Sequence, residues 1–184
     1  ILRDRRFLAH ALAGALPMCG LFAYLVGSPL VLMEIHGLGP GAYGVAFGAN
    51  AVGLIAMSQV TARLVRHAAP ARLLLFALAA CAATGLAVPL AVAIGGLWPL
   101  LAALFLYLAT LGAVLPLASA LAMAPLGRVA GSGSAVIGTL QFSGGAIIGV
   151  GLGAIGGGAW PMAVLVAAAG CAGLVAHLRL RRGA

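Results

Sequence analysis

Between Leu73 and Gly127 the chain runs for 55 residues without one charged side chain. As a single helix rising 1.5 Å per residue, that run would be about 80 Å long. A bilayer's hydrocarbon core is only about 30 Å thick and takes roughly 20 apolar residues to cross. The run is too long for one crossing and too apolar for the surface of a water-soluble fold. It has to break into more than one membrane helix. Composition extends the argument to the whole chain: 64% of its 184 residues are hydrophobic and 7% charged, whereas a soluble domain carries about 25% charged residues. The same shortage of charge excludes a disordered chain.

Charges and helix-breaking residues divide the sequence into six spans. The first runs over 7–33. A turn-forming His36-Gly37-Leu38-Gly39-Pro40 separates it from the second, 41–62. A short basic loop, RLVRHAAPAR (63–72), leads to the third, 73–94, and Gly95-Gly96-Leu97-Trp98-Pro99 breaks the long run before the fourth, 98–126. Arg128 precedes the fifth, 129–155, and Gly156-Gly157-Gly158-Ala159-Trp160-Pro161 precedes the sixth, 160–178. GG-x-WP thus occurs twice, at 95–99 and 157–161, as one hairpin solution used twice. Each Trp falls where an interfacial aromatic belt is expected, and each Pro at a first helical turn, where a missing N–H costs little. The expected architecture is an all-α, six-helix transmembrane bundle forming a single unit over 1–184.

The formal net charge of +8 comes from ten Arg, with no Lys, against Asp4 and Glu34. In a soluble protein such a balance points to nucleic acid; here the arginines punctuate apolar runs, so the expected partner is the lipid bilayer and not nucleic acid. Six crossings put Arg3, Arg5, Arg6, Arg63, Arg66, Arg72, Arg128, Arg179, Arg181 and Arg182 all on one side. The positive-inside rule makes that side, and both termini, cytoplasmic. Five or seven crossings would scatter them. The opening ILRDRR reads as the end of a charged loop with no signal peptide, so the chain is expected to be part of something longer. Cys19, Cys81 and Cys171 lie far apart without zinc or redox spacing and are expected as small packing residues.

Glycine forms one ordered stripe in the fifth span: Gly145, Gly149, Gly153 and Gly157, with Gln141 one step earlier. Small residues let helix backbones approach closely in lipid, so the stripe is expected at a helix contact; a helix that bends during transport is the other reading. On this view Gly149 is a tighter position than Gly170, in a last span expected to pack peripherally. Polar side chains within the spans need partners or water. They are Tyr24 and Ser28 (i, i+4) in the first span, Asn50 in the second, Tyr107 and Thr110 (i, i+3) in the fourth, and Gln141 in the fifth. Each either bonds a neighbouring helix or lines a polar cavity. Catalytic chemistry is not expected: His10, His36, His67 and His177 fall near the interfaces, no carboxylate lies at depth, and no metal, phosphate or paired-acid motif occurs, so no cofactor is expected.

The stretch YLVGSPLVLME (24–34) followed by GLGPGAYGVAFGANAVGL (37–54) resembles the seventh and eighth helices of the Bcr/CflA-type drug-resistance branch of the major facilitator superfamily. TARLVRHAAPARLL (61–74) is similar to the second copy of that superfamily's cytoplasmic loop signature. LPLASALAMAPLGRVAGSGSAVIGTLQF (115–142) resembles the tenth and eleventh helices, including APxGRxAGSxSA. The resemblance covers nearly the whole chain. It implies the carboxyl-terminal half of a twelve-helix transporter, made of two inverted three-helix repeats, in the bacterial inner membrane. It implies efflux of small drug-like substrates in exchange for protons, together with an amino-terminal six-helix half. On that reading Tyr24, Ser28, Asn50, Tyr107, Thr110 and Gln141 lie on pathway-lining helices, and the proton-coupling residue lies in the other half. The competing expectation is a six-helix structural or assembly subunit that packs through its glycine stripe and transports nothing itself.

Overall fold

A computed structural model describes residues 4–182. Among them the chain is helical, with six helices long and apolar enough to cross a membrane. They are α1 (Arg5–Ser28, continued by a π-helical segment Pro29–Ile35), α2 (Pro40–Leu64), α3 (Pro70–Ile94), α4 (Leu97–Met123), α5 (Ala130–Ala154) and α6 (Ala159–Arg182).

The local sequence explains the ends. Asp4 caps α1, its carboxylate accepting hydrogen bonds from the Arg6 and Phe7 amides at 2.8 and 3.3 Å. Pro40 and Pro70 open α2 and α3 at the position where a proline's missing N–H is harmless. The repeated GG-x-WP element has the same construction in both places. Gly95 and Gly96 (φ +77° and +97°), then Gly156, Gly157 and Gly158 (φ +79°, +68° and +116°), turn the chain in backbone conformations that side chains rarely adopt. A new helix follows with Trp-Pro in its first turn. At Pro29 the helix has no N–H to give the carbonyl one turn back, and the ladder widens to π-helix until Ile35. The first crossing therefore extends two residues beyond the expected Met33.

Six helices joined by short links alternate in direction. Arg5, Arg6, Arg63, Arg66, Arg72 and Arg179 consequently share one end, all with exposed side chains, while Trp98 and Trp160 mark the other. Arg3 lies outside the described residues.

The packing has an internal symmetry. The extensive contacts are α1 with α4, α5 and α6, α4 with α2 and α3, and α3 with α6. Exchanging α1 with α4, α2 with α5 and α3 with α6 leaves that set unchanged. Because three crossings separate the exchanged helices, the two halves of the bundle are inverted repeats. Accordingly α1 and α4 occupy the middle, with 44% and 56% of their most apolar windows buried, whereas α2 and α5 bury only 17% each.

Tyr107 anchors the centre. Its ring is fully buried and its hydroxyl donates to the Pro17 carbonyl at 2.9 Å, across from α4 to α1. The hydroxyl fits because Gly20 has no side chain there. All three cysteines are free thiols, with Cys81 buried and the other two partly so.

The close backbone crossings are not where the stripe on α5 suggests. A Cβ on Gly112 would run into the Leu54 carbonyl of α2, and one on Gly170 would stand 2.8 Å from the Cys81 carbonyl of α3. Opposite Gly170, Gly85 faces the α6 backbone at Val166 and Ala167. The stripe itself divides. Gly145 is filled by the Phe22 ring of α1, and Gly149 meets only a Val26 methyl at 3.2 Å; Gly153 faces open space, and Gly157 belongs to the turn after α5. The ranking of Gly149 above Gly170 is therefore reversed: α6 is wedged against α1 and α3, and its contact at Gly170 is with backbone, which cannot rotate away.

Candidate functional site

The six polar positions singled out in the sequence fall in three places. The first joins Tyr24 and Ser28 of α1 with Asn50 of α2. Asn50, 5% exposed, donates from its amide nitrogen to the Tyr24 hydroxyl at 2.9 Å. Ser28, fully buried at the end of α1, shares a 3.0 Å hydrogen bond with the Tyr43 hydroxyl. Phe47 fills the space between, stacked on Tyr24 at 5.9 Å between ring centroids and tilted against Tyr43 at 6.0 Å. The group sits where α1 gives way to its π-helical extension, and irregularities of that kind in helices occur frequently at functional sites.

The second place is the bundle centre. There Thr110 returns its hydroxyl to the Tyr107 carbonyl of its own helix at 2.6 Å, and Tyr107 is occupied by Pro17. The Tyr107 bond joins α4 to α1, while the Thr110 bond stays within α4. The third is Gln141, half-buried on α5, its amide nitrogen facing Gly14 of α1; no hydrogen bond joins it to a described residue. So Tyr24, Ser28 and Asn50 come together, while Tyr107–Thr110 and Gln141 stand apart from them.

Tyr43 and Phe47 escaped the sequence reading. Tyr43 lies in the first turn of α2, where a tyrosine reads as an interfacial anchor. Their spacing to Asn50 (43, 47, 50) does put all three on one face of α2.

A cleft adjoins the cluster between α2 and α4. It is open on one side, with a volume of about 680 Å³, and is lined on α2 by Ala42, Val45, Ala46, Ala49 and Asn50, and on α4 by Trp98, Leu101 and Phe105. Its cause is local. Gly112 and Gly53 let the helices touch at mid-span, against Leu54 and Phe105 respectively. Towards the tryptophan end, three alanines face large side chains of α4 and leave space. Asn50 is the polar side chain of that lining. It also borders a small void of about 100 Å³ beside Tyr24 and Phe47.

At the arginine end, His177 of α6 is buried within the bundle, at 1% exposure, and its ring meets His10 of α1 edge to face at 5.5 Å. The His10 Nδ1–H donates to the Arg6 carbonyl at 2.7 Å. Among the described residues, no three His, Cys, Asp or Glu come together in a way that would hold a metal ion.

No family model matches the chain. It is similar to a Bacillus subtilis (strain 168) protein described as an uncharacterized MFS-type transporter, YdgK, with 34% identity over 149 residues. The similarity takes in 80% of this chain but 37% of that protein's length, so the chain spans well under half of the relative it matches.

Proposed function

We propose that this chain is the carboxyl-terminal six-helix half of a major facilitator transporter, one that exports small drug-like molecules across the bacterial inner membrane in exchange for protons. The observation that carries the reading is the exchange symmetry of the helix packing. Two inverted three-helix repeats are the build of such a half, and the similarity to an MFS-type transporter agrees with it. The Tyr24–Ser28–Asn50 group on the first two helices is the part of the substrate pathway this half supplies, and Gln141 on α5 is a second, weaker contributor.

The sparsely buried faces of α2 and α5 are where a companion amino-terminal half would pack. Both acids lie at helix ends: Asp4 is engaged in capping α1, and Glu34 is exposed in the π-helical segment. Proton uptake at depth therefore falls to the companion half. The arginine end faces the cytoplasm, where the basic loop at 63–72 meets anionic headgroups.

The test is substrate movement by the protein in its complete reading frame. Inverted membrane vesicles energised with a proton gradient should accumulate a fluorescent lipophilic dye, and a protonophore should abolish accumulation. Accumulation that is indifferent to the protonophore would remove proton exchange, and none across a broad compound panel would remove export.

A further inference from the structure

We infer that the α2–α4 cleft is a binding site for an uncharged, flat aromatic molecule carrying one hydrogen-bond donor, which the Asn50 carbonyl oxygen receives. The inference rests on the transport reading only for why such a ligand would be present, not for the binding itself.

Three observations converge on it. The first is the size and lining of the cleft. About 680 Å³ lies within the range of small-molecule pockets, roughly 300–1,000 Å³. Two aromatic side chains, Trp98 and Phe105, stand on the α4 side, and Ala42, Ala46 and Ala49 with Val45 face them from α2, leaving a slot that a flat ring can enter. The second is the state of Asn50. Its nitrogen is committed to Tyr24, but among the described residues no hydrogen bond reaches its Oδ1. Asn50 is buried and borders the cleft, and with its nitrogen already committed, its carbonyl oxygen is the group left to receive a ligand's donor. The third is charge. The lining has no ionised side chain, so an ionic ligand would lose its hydration without a counter-charge.

The groove between α5 and α6 makes the contrast. It is of similar size, about 600 Å³, and contains the other tryptophan, Trp160, but its side chains are all apolar. It has nothing with which to tell a donor from a non-donor.

That contrast supplies the experiment. The protein in its complete reading frame is purified in detergent with every tryptophan but one replaced by phenylalanine, so that either Trp98 or Trp160 alone remains. Contact quenching is then read with 4-(4-bromophenyl)phenol, with its methyl ether, and with 4′-bromobiphenyl-4-carboxylate. At Trp98 the phenol should bind about 5- to 10-fold more tightly than the ether, the worth of one hydrogen bond. At Trp160 the two should be alike, which also corrects for their partition into detergent. Asn50→Leu, of similar volume, should reduce the preference at Trp98 to that at Trp160. The carboxylate should be the weakest at Trp98.

Equal phenol and ether binding at Trp98 overturns the proposal, and this wild-type comparison stands even if the Asn50 variant fails to fold. A preference that survives Asn50→Leu, or a carboxylate as tight as the phenol, also overturns it. So does silence of Trp98 to every probe, as expected if a lipid chain or another helix fills the cleft. Export of the same phenol by the complete protein is scored separately. Preferential binding without export contradicts the transport reading alone, and export with no donor preference in binding contradicts the ligand class alone.

Discussion

Tyr107 and Asn50 are both polar side chains buried in apolar helices, yet their surroundings give them different work. The Tyr107 hydroxyl is spent on the Pro17 carbonyl, in a slot that Gly20 leaves open, so its substitution should be felt as stability. Tyr107→Phe keeps the ring and loses one interhelical bond. It should lower the unfolding free energy in detergent by about 0.6–1.7 kcal/mol, seen as a modest fall in thermal midpoint, with no change in relative preference among ligands. A shift in ligand preference would place Tyr107 on the pathway instead. The sequence could single out Tyr24, Ser28, Asn50, Tyr107, Thr110 and Gln141, because polar atoms in lipid need partners. It could not sort them. Thr110 bonds its own helix and Asn50 bonds Tyr24, a difference set by which helix stands opposite. Tyr43 and Phe47 were illegible for a related reason: an aromatic near a helix end serves equally as interfacial anchor and as part of a buried cluster.

Glycine spacing is the lesson at the scale of elements. A four-residue stripe announces that a helix has a small-residue face, but not what lies against it. Gly145 and Gly149 meet side chains of α1, Gly153 meets open space, and the backbone-to-backbone crossings fall at Gly112 and Gly170, where no stripe marks them. Leucine substitutions should therefore be most damaging at Gly170, less so at Gly149 and least at Gly153. Gly170→Leu, driven against the Cys81 carbonyl, should cost about 1–3 kcal/mol or more, or prevent assembly. Gly149→Leu displaces only a valine methyl and should cost less. Gly153→Leu should be close to neutral in this bundle taken alone. Thermal midpoints of the three purified variants, or their yields where one fails to fold, check the ranking; Gly149→Leu as damaging as Gly170→Leu would refute it. The helix ends were far more legible than the crossings. Asp4, Pro40, Pro70 and the two GG-x-WP turns act within a few residues of themselves, so local chemistry fixes them without knowledge of neighbours.

For the whole molecule, six alternating helices collect the described arginines at one end and both tryptophans at the other. That arrangement was readable from the order of charges alone, because alternation follows from short links. The inverted-repeat build was expected only through the resemblance to the major facilitator superfamily, since the two triplets share no obvious sequence. In a protein freed of Cys19, Cys81 and Cys171, single cysteines at Arg66 and Gly96 should label from opposite sides of intact cells, with Gly96→Cys reacting from outside. Labelling of both from outside would contradict the six-crossing arrangement with cytoplasmic termini. The claim that the Tyr24–Ser28–Asn50 group lies on a transport pathway is tested most directly by drug resistance in cells expressing the complete protein, measured over several compounds beside protein abundance. Asn50→Ala should change the resistance profile, by about 5- to 10-fold for compounds with a hydrogen-bond donor, while abundance stays near normal. A uniform loss across all compounds that simply tracks abundance would contradict it.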